Sequence, residues 1–134
     1  MNLIKKVKQG IKMKPELASD KSIYLQIAEG IEDDIMQGNI KEEEQVPSTN
    51  QLAVIYLINP ATAAKGINML VIEGIIYKKR GIGMFVSKGA SKTIKKKRKT
   101  AFHDNYIVRL LEEASNLDIS KEEIIEMINN IRKK

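Results

Sequence analysis

Few residues in this chain could perform covalent or metal chemistry. There is no cysteine and a single histidine, His103, with Asp104 beside it and no nearby serine or cysteine constellation. Without thiols there can be no disulfide, thiol nucleophile or ordinary zinc site. Glu42-Glu43-Glu44 lacks the spaced ligands of a calcium loop. Gly81-Ile82-Gly83 lies between two β-prone runs, with no helix following, so it is not a dinucleotide fingerprint, and no P-loop occurs. No enzymatic activity, cofactor or metal is therefore expected, and His103 reads as a surface residue at a helix start. What remains is binding chemistry. Lys78, Lys79 and Arg80 are consecutive and precede a glycine-rich tip, and Asn59-Pro60-Ala61-Thr62 opens a helix that carries Lys65 one turn on. Long cations and free helix N–H groups are what phosphates and base edges bind. The bland alternatives are a solvated hairpin turn and an N-cap with surface neighbours.

Bulk charge is a weaker argument than it looks. The 134 residues carry a formal net charge of +6. Residues 1–14 hold five lysines and no acid, and residues 88–99 hold seven basic residues and no acid. Residues 15–87 are acidic, with ten acidic residues against six basic ones. The positive excess thus lies in a leader and in a run expected to be a solvated linker, because like charges repel and only Ile94 interrupts them. The organisation expected is a basic leader (1–16), a patterned domain (17–88), a basic linker (89–100) and a helical tail (101–134). Hydrophobic residues make up 43% and aromatics 4%, so aliphatic side chains must fill the core. No apolar run approaches the roughly 18 residues of a membrane span, and no signal-peptide pattern follows the first lysines. A cytoplasmic location without membrane contact is expected.

The elements follow from spacing. Ile23, Ile27, Ile31 and Ile35 form the stripe of an amphipathic helix ending near Gly38. Ser48 and Gln51 have capping-box spacing and open a second helix, Thr49 to about Leu57, burying Leu52, Ala53 and Tyr56. Asn59 is a strong N-cap and Pro60 suits the first helical position, so a third helix runs from Pro60 to about Glu73 with Ala63, Ile67, Leu70 and Val71 inward. Residues 75–79 and 84–87 then read as a hairpin around Arg80-Gly81-Ile82-Gly83. Three helices, the last two tightly joined, and a hairpin make a winged helix-turn-helix. The fold class expected is α+β, mostly α: this domain followed by a two-helix C-terminal dimerisation tail. Tyr106, Ile107, Leu110, Leu111 and Ala114 lie along the first tail helix, and Ile124, Ile125 and Ile128 along the second, where Ser120 and Glu123 have capping-box spacing. Two short amphipathic helices need a partner, either the winged domain or another copy of the chain.

These residues resemble a family. Ile23-Tyr24-Leu25-Gln26-Ile27, Val46-Pro47-Ser48, Asn59-Pro60-Ala61-Thr62, Glu73-Gly74-Ile75-Ile76 and Arg80-Gly81-Ile82-Gly83-Met84-Phe85-Val86 are similar to the GntR-family winged domain, in the same order. The Asn-Pro-x-Thr start and the short tail resemble the YtrA subfamily. The resemblance implies a homodimeric bacterial transcription factor, usually a repressor, with Arg80 and Gly81 at the minor groove. It also shows departures: Asn50 and Pro60 stand where the family commonly has Arg, and Ala61 where the subfamily often has Asn. Two long side chains suited to bidentate guanine contacts are thus missing.

The function expected is that of a dimeric, sequence-specific DNA-binding regulator. Asn59, Ala61, Thr62 and Lys65 would enter the major groove, with Ser48, Thr49 and Asn50 near the backbone and Lys79, Arg80 and Gly81 on the wing. The partners expected are an inverted-repeat operator and a second copy of the chain. No segment reads as a large effector domain, so a small-molecule effector, of unknown identity, is expected between domain and tail or at the dimer interface. Two other readings stay open: a winged protein-interaction module, and a sequence-independent nucleic-acid binder using the Lys-rich segments.

Overall fold

The computed structural model describes residues 22–132; the basic leader expected over 1–16 lies outside them. The described residues divide into two compact units, which meet between Lys95 and Lys96.

The first unit is built on three helices: α1 (Ile23–Met36), α2 (Thr49–Tyr56) and α3 (Pro60–Ile72). Ile27, Ile31 and Ile35 of α1 are buried as their spacing predicts, while Ile23 in the first turn is exposed. The helix starts are set locally. Ser48 Oγ accepts from the Gln51 N–H at 3.1 Å, and the Gln51 side chain accepts from the Ser48 N–H at 2.8 Å. At α3, Asn59 Oδ1 accepts from the Ala61 N–H at 2.8 Å, and Pro60 follows. Between α2 and α3, Leu57 takes the left-handed cap position that glycine more often supplies, at φ +53°.

α3 packs against both earlier helices, and its approach to α1 is close. A Cβ on Gly66 would sit 2.8 Å from the Tyr24 carbonyl oxygen. Tyr56 supplies the buried aromatic, and its hydroxyl lies near Gly30 of α1. Burial, and then the charge of Asp34, push the Tyr56 phenol up to about 12. Neutral tyrosine therefore belongs to the folded state at every ordinary pH.

Strands β1 (Ile76–Lys79) and β2 (Gly83–Val86) pair antiparallel with Ile76 opposite Val86 and Lys79 opposite Gly83. The connection is three residues, Arg80 to Ile82, one shorter than expected, because Gly83 already pairs. Gly83 is at φ +147°, a conformation glycine accepts readily. The other edge of β2 is also occupied. Gln45 bridges Phe85, the Glu43 N–H donates to the Val86 carbonyl at 2.8 Å, and the Val46 N–H donates to the Met84 carbonyl at 2.9 Å. The wing thus gains a third extended segment from the loop before α2.

Residues 89–100 differ from expectation. Instead of a solvated linker, helix α4 (Ala90–Phe102) begins at once. Ala90 and Ile94, four apart on one face, are 1% and 0% exposed and belong to the core that also holds Ile75 and Val86. That anchorage, with the good helix propensity of lysine and alanine, outweighs like-charge repulsion of a few tenths of a kcal/mol per pair. Ile94→Ala should accordingly cost the winged domain about 2–4 kcal/mol, read as a lower urea midpoint. An unchanged midpoint would place Ile94 outside the core.

In the second unit, α4 continues into a π-helical turn, His103–Ile107, where the Val108 N–H donates to the His103 carbonyl. Phe102 and Tyr106 pack there with tilted rings, their centroids 5.3 Å apart. Helices α5 (Val108–Asn116) and α6 (Lys121–Asn130) follow. At α6, Ser120 Oγ accepts from the Glu123 N–H at 3.1 Å and donates to the Glu123 carboxylate, which replaces the expected reciprocal box. Among the residues assigned to dimerisation, Ala114 and Ile124 are buried within the single chain, at 6% and 7% exposed. Tyr106, Leu110, Leu111, Ile125 and Ile128 are exposed and Ile107 is half-buried.

Candidate nucleic-acid interface

The first turn of α3 is the natural reading edge. Its cap consumes the Asn59 side-chain oxygen, so that residue's primary task is to start the helix. Asn59, Ala61 and Lys65 are exposed and Thr62 is half-buried. Lys65 leans back on its own domain, with Nζ 4.2 Å from the Tyr24 ring centroid. A cation–π contact of this kind is worth about 0.5–1 kcal/mol at an exposed site, little enough for a phosphate to compete for the ammonium. At the start of α2, Ser48 and Asn50 are exposed and Thr49 is half-buried.

The wing forms the other edge. Lys79, Arg80 and Gly81 are exposed at its tip. Lys79 Nζ lies 4.3 Å from the Phe85 ring centroid, and Phe85 faces Tyr77 across the ladder with centroids 6.2 Å apart. These contacts stiffen the hairpin stem behind Arg80. The acidic loop before α2, which fits no metal site, ties the wing in place. The Tyr77 hydroxyl donates to the Glu43 carboxylate, which holds the Tyr77 phenol above its usual range. The Gly89 N–H donates to Glu42 Oε1 at 2.6 Å, and Gln45 Nε2 donates to the Ile82 carbonyl at 3.1 Å. Glu42, Glu43 and Gln45 leave no local trace of this role, because their partners lie 34 to 47 residues away.

This arrangement recurs in known proteins. Residues 23–86 match the family described as bacterial regulatory proteins, gntR family. The HTH-type transcriptional repressor YtrA of Bacillus subtilis (strain 168) is 30% identical over 113 residues, which is 84% of this chain and 86% of that protein. The chain belongs to the GntR family. The resemblance extends beyond the winged domain of this GntR-family chain. A putative transcriptional regulator of the GntR family from Bacteroides thetaiotaomicron superposes with a TM-score of 0.69 at 38% identity, covering 80% of this chain and 93% of the other. A GntR family transcriptional regulator from Listeria monocytogenes gives 0.71 at 27% identity, covering 87% and 100%. The protein is thus a winged-helix DNA-binding regulator of GntR type. Among the described residues no helix is long and apolar enough to cross a membrane, and no group of three or more His, Cys, Asp or Glu residues could hold a metal ion.

Proposed function

We propose that this GntR-family regulator is a dimeric transcriptional repressor that reads an inverted-repeat operator. The carrying observation is the exposed first turn of α3, where Ala61 and Lys65 follow the Asn59 cap and half-buried Thr62 lies beside them. In this reading α3 enters the major groove, with Thr62 and Lys65 as the discriminating residues. Ser48, Thr49 and Asn50 meet the phosphate backbone, and Lys79, Arg80 and Gly81 enter the minor groove. The exposed apolar residues of α5 and α6 join two copies, so two half-sites are read at once. That the B. subtilis relative carries the name of a repressor supports repression over activation.

The basic residues of α4 supplement affinity. Lys92, Lys95, Lys96 and Lys99 are exposed at helical spacing in a helix with no acidic residue. Each phosphate contact they add steepens the salt dependence without reading sequence.

Selection of binding sites from random DNA at near-physiological salt tests the proposal. A palindromic consensus is expected. Thr62→Ala and Lys65→Ala should each cost about 1–3 kcal/mol at particular positions of it and relax discrimination there. Neutralising Lys92, Lys95, Lys96 and Lys99 should weaken binding evenly across sequences. No enrichment from the random pool would sink the regulator reading and favour a protein-interaction module.

A further inference from the structure

We infer that Gln45 is a positioning residue for the wing, presenting the Arg80-Gly81 tip in one conformation; the inference deepens the proposed minor-groove reading and rests on it. Three observations converge. Main-chain pairing of residues 43–46 with β2 fixes the backbone of Gln45 opposite Phe85. From there Gln45 Nε2 reaches the Ile82 carbonyl, inside the three-residue loop that carries Arg80 and Gly81. The amide lies directly over Gly83, where a Cβ would come within 2.4 Å of Nε2. The missing side chain at position 83 therefore serves two needs: the φ of +147° and the space for the Gln45 amide.

The physical consequence is preorganisation. A short loop that contains a glycine and is followed by another samples many backbone states, and each state lost on DNA binding weakens the complex. A side chain from outside the hairpin that holds the loop carbonyl removes part of that cost before the DNA arrives. The donor is an amide at the end of a two-carbon stem. Asparagine is too short to span the distance, and glutamate would set a carboxylate against a carbonyl. Gln45→Met keeps the stem and the volume over Gly83 but removes the donor, which separates hydrogen bonding from packing.

Two measurements on the full chain test the assignment. The first is binding to the selected operator in two backgrounds. Gln45→Met is expected to weaken binding roughly five- to tenfold when Arg80 is present, and less than about twofold in an Arg80→Ala background, because the clamp acts through the tip. A residue that merely supports the fold would lose the same factor in both. The second needs no DNA: tryptic cleavage of the Arg80–Gly81 bond, followed by mass spectrometry, is expected to be roughly five- to tenfold faster in Gln45→Met. Equal fold losses in both backgrounds, or an unchanged cleavage rate, overturns the assignment. If the native chain selects no operator, the regulator reading has failed on its own, and the cleavage rate alone decides whether Gln45 holds the tip.

Discussion

Gly66→Leu is expected to cost the winged domain about 3 kcal/mol, a large share of the 5–15 kcal/mol by which such domains are stable. Position 66 lies in the middle of α3, where a larger residue would ordinarily help: alanine is favoured over glycine by about 1 kcal/mol in a helix interior. Here the packing reverses that preference. A Cβ would stand 2.8 Å from the Tyr24 carbonyl oxygen and 3.5 Å from the Ile27 side chain. The obstruction is backbone, which cannot rotate aside, so the two helices must separate. Gly66→Ala meets the same atom with less bulk and should cost up to about 2 kcal/mol after its propensity gain. The order native, alanine, leucine in urea midpoint, at constant slope, is the expected result. A leucine variant as stable as the native chain would show that α1 and α3 are not held this closely. Operator affinity should fall with stability, since Lys65 adjoins Gly66 and its ring contact with Tyr24 depends on the same spacing.

Leu110→Glu combined with Ile128→Glu is expected to convert a dimer into a folded monomer. Both side chains are exposed on the tail, at 43% and 58%, so the substitution removes surface for a partner without emptying a core. Affinity for the complete inverted repeat should drop about 100-fold or more, because the second half-site loses its effective concentration, while affinity for an isolated half-site stays the same. Sedimentation and half-site titration read the two effects separately. A double variant that remained dimeric would remove the tail from the interface. The complementary changes, Ala114→Glu or Ile124→Glu, answer a different question: both residues are already buried in the single chain, so these should damage its packing whether or not a partner is present.

Much of the frame is legible residue by residue. Asn59-Pro60 predicts the start of α3 and Ser48 with Gln51 the start of α2, and both caps form with their expected partners. The stripe Ile27, Ile31 and Ile35 predicts the buried face of α1. The run from Lys88 to Lys99 is where local reasoning failed. Charge repulsion argues for a linker, yet two apolar residues at helical spacing suffice to seat α4, because Ala90 and Ile94 join a core that also holds residues of the three helices and the wing. The leader and linker that hold the positive excess therefore cannot be treated alike: the second is a helix that begins in the winged core.

What the sequence by itself determined is the order of elements through the wing, their caps and the apolar faces they must bury. Those depend on neighbours within one or two helical turns, which any single chain displays. Only the tertiary structure decided that Gly66 must stay small, that Ile94 belongs to the winged core, that Ala114 and Ile124 are buried in the single chain, and that Gln45 holds the wing tip. Each of these is a relation between parts brought together by folding, such as the 37 residues between Gln45 and Ile82. Side-chain type and spacing say what a residue can do, and packing chooses the atom it does it to.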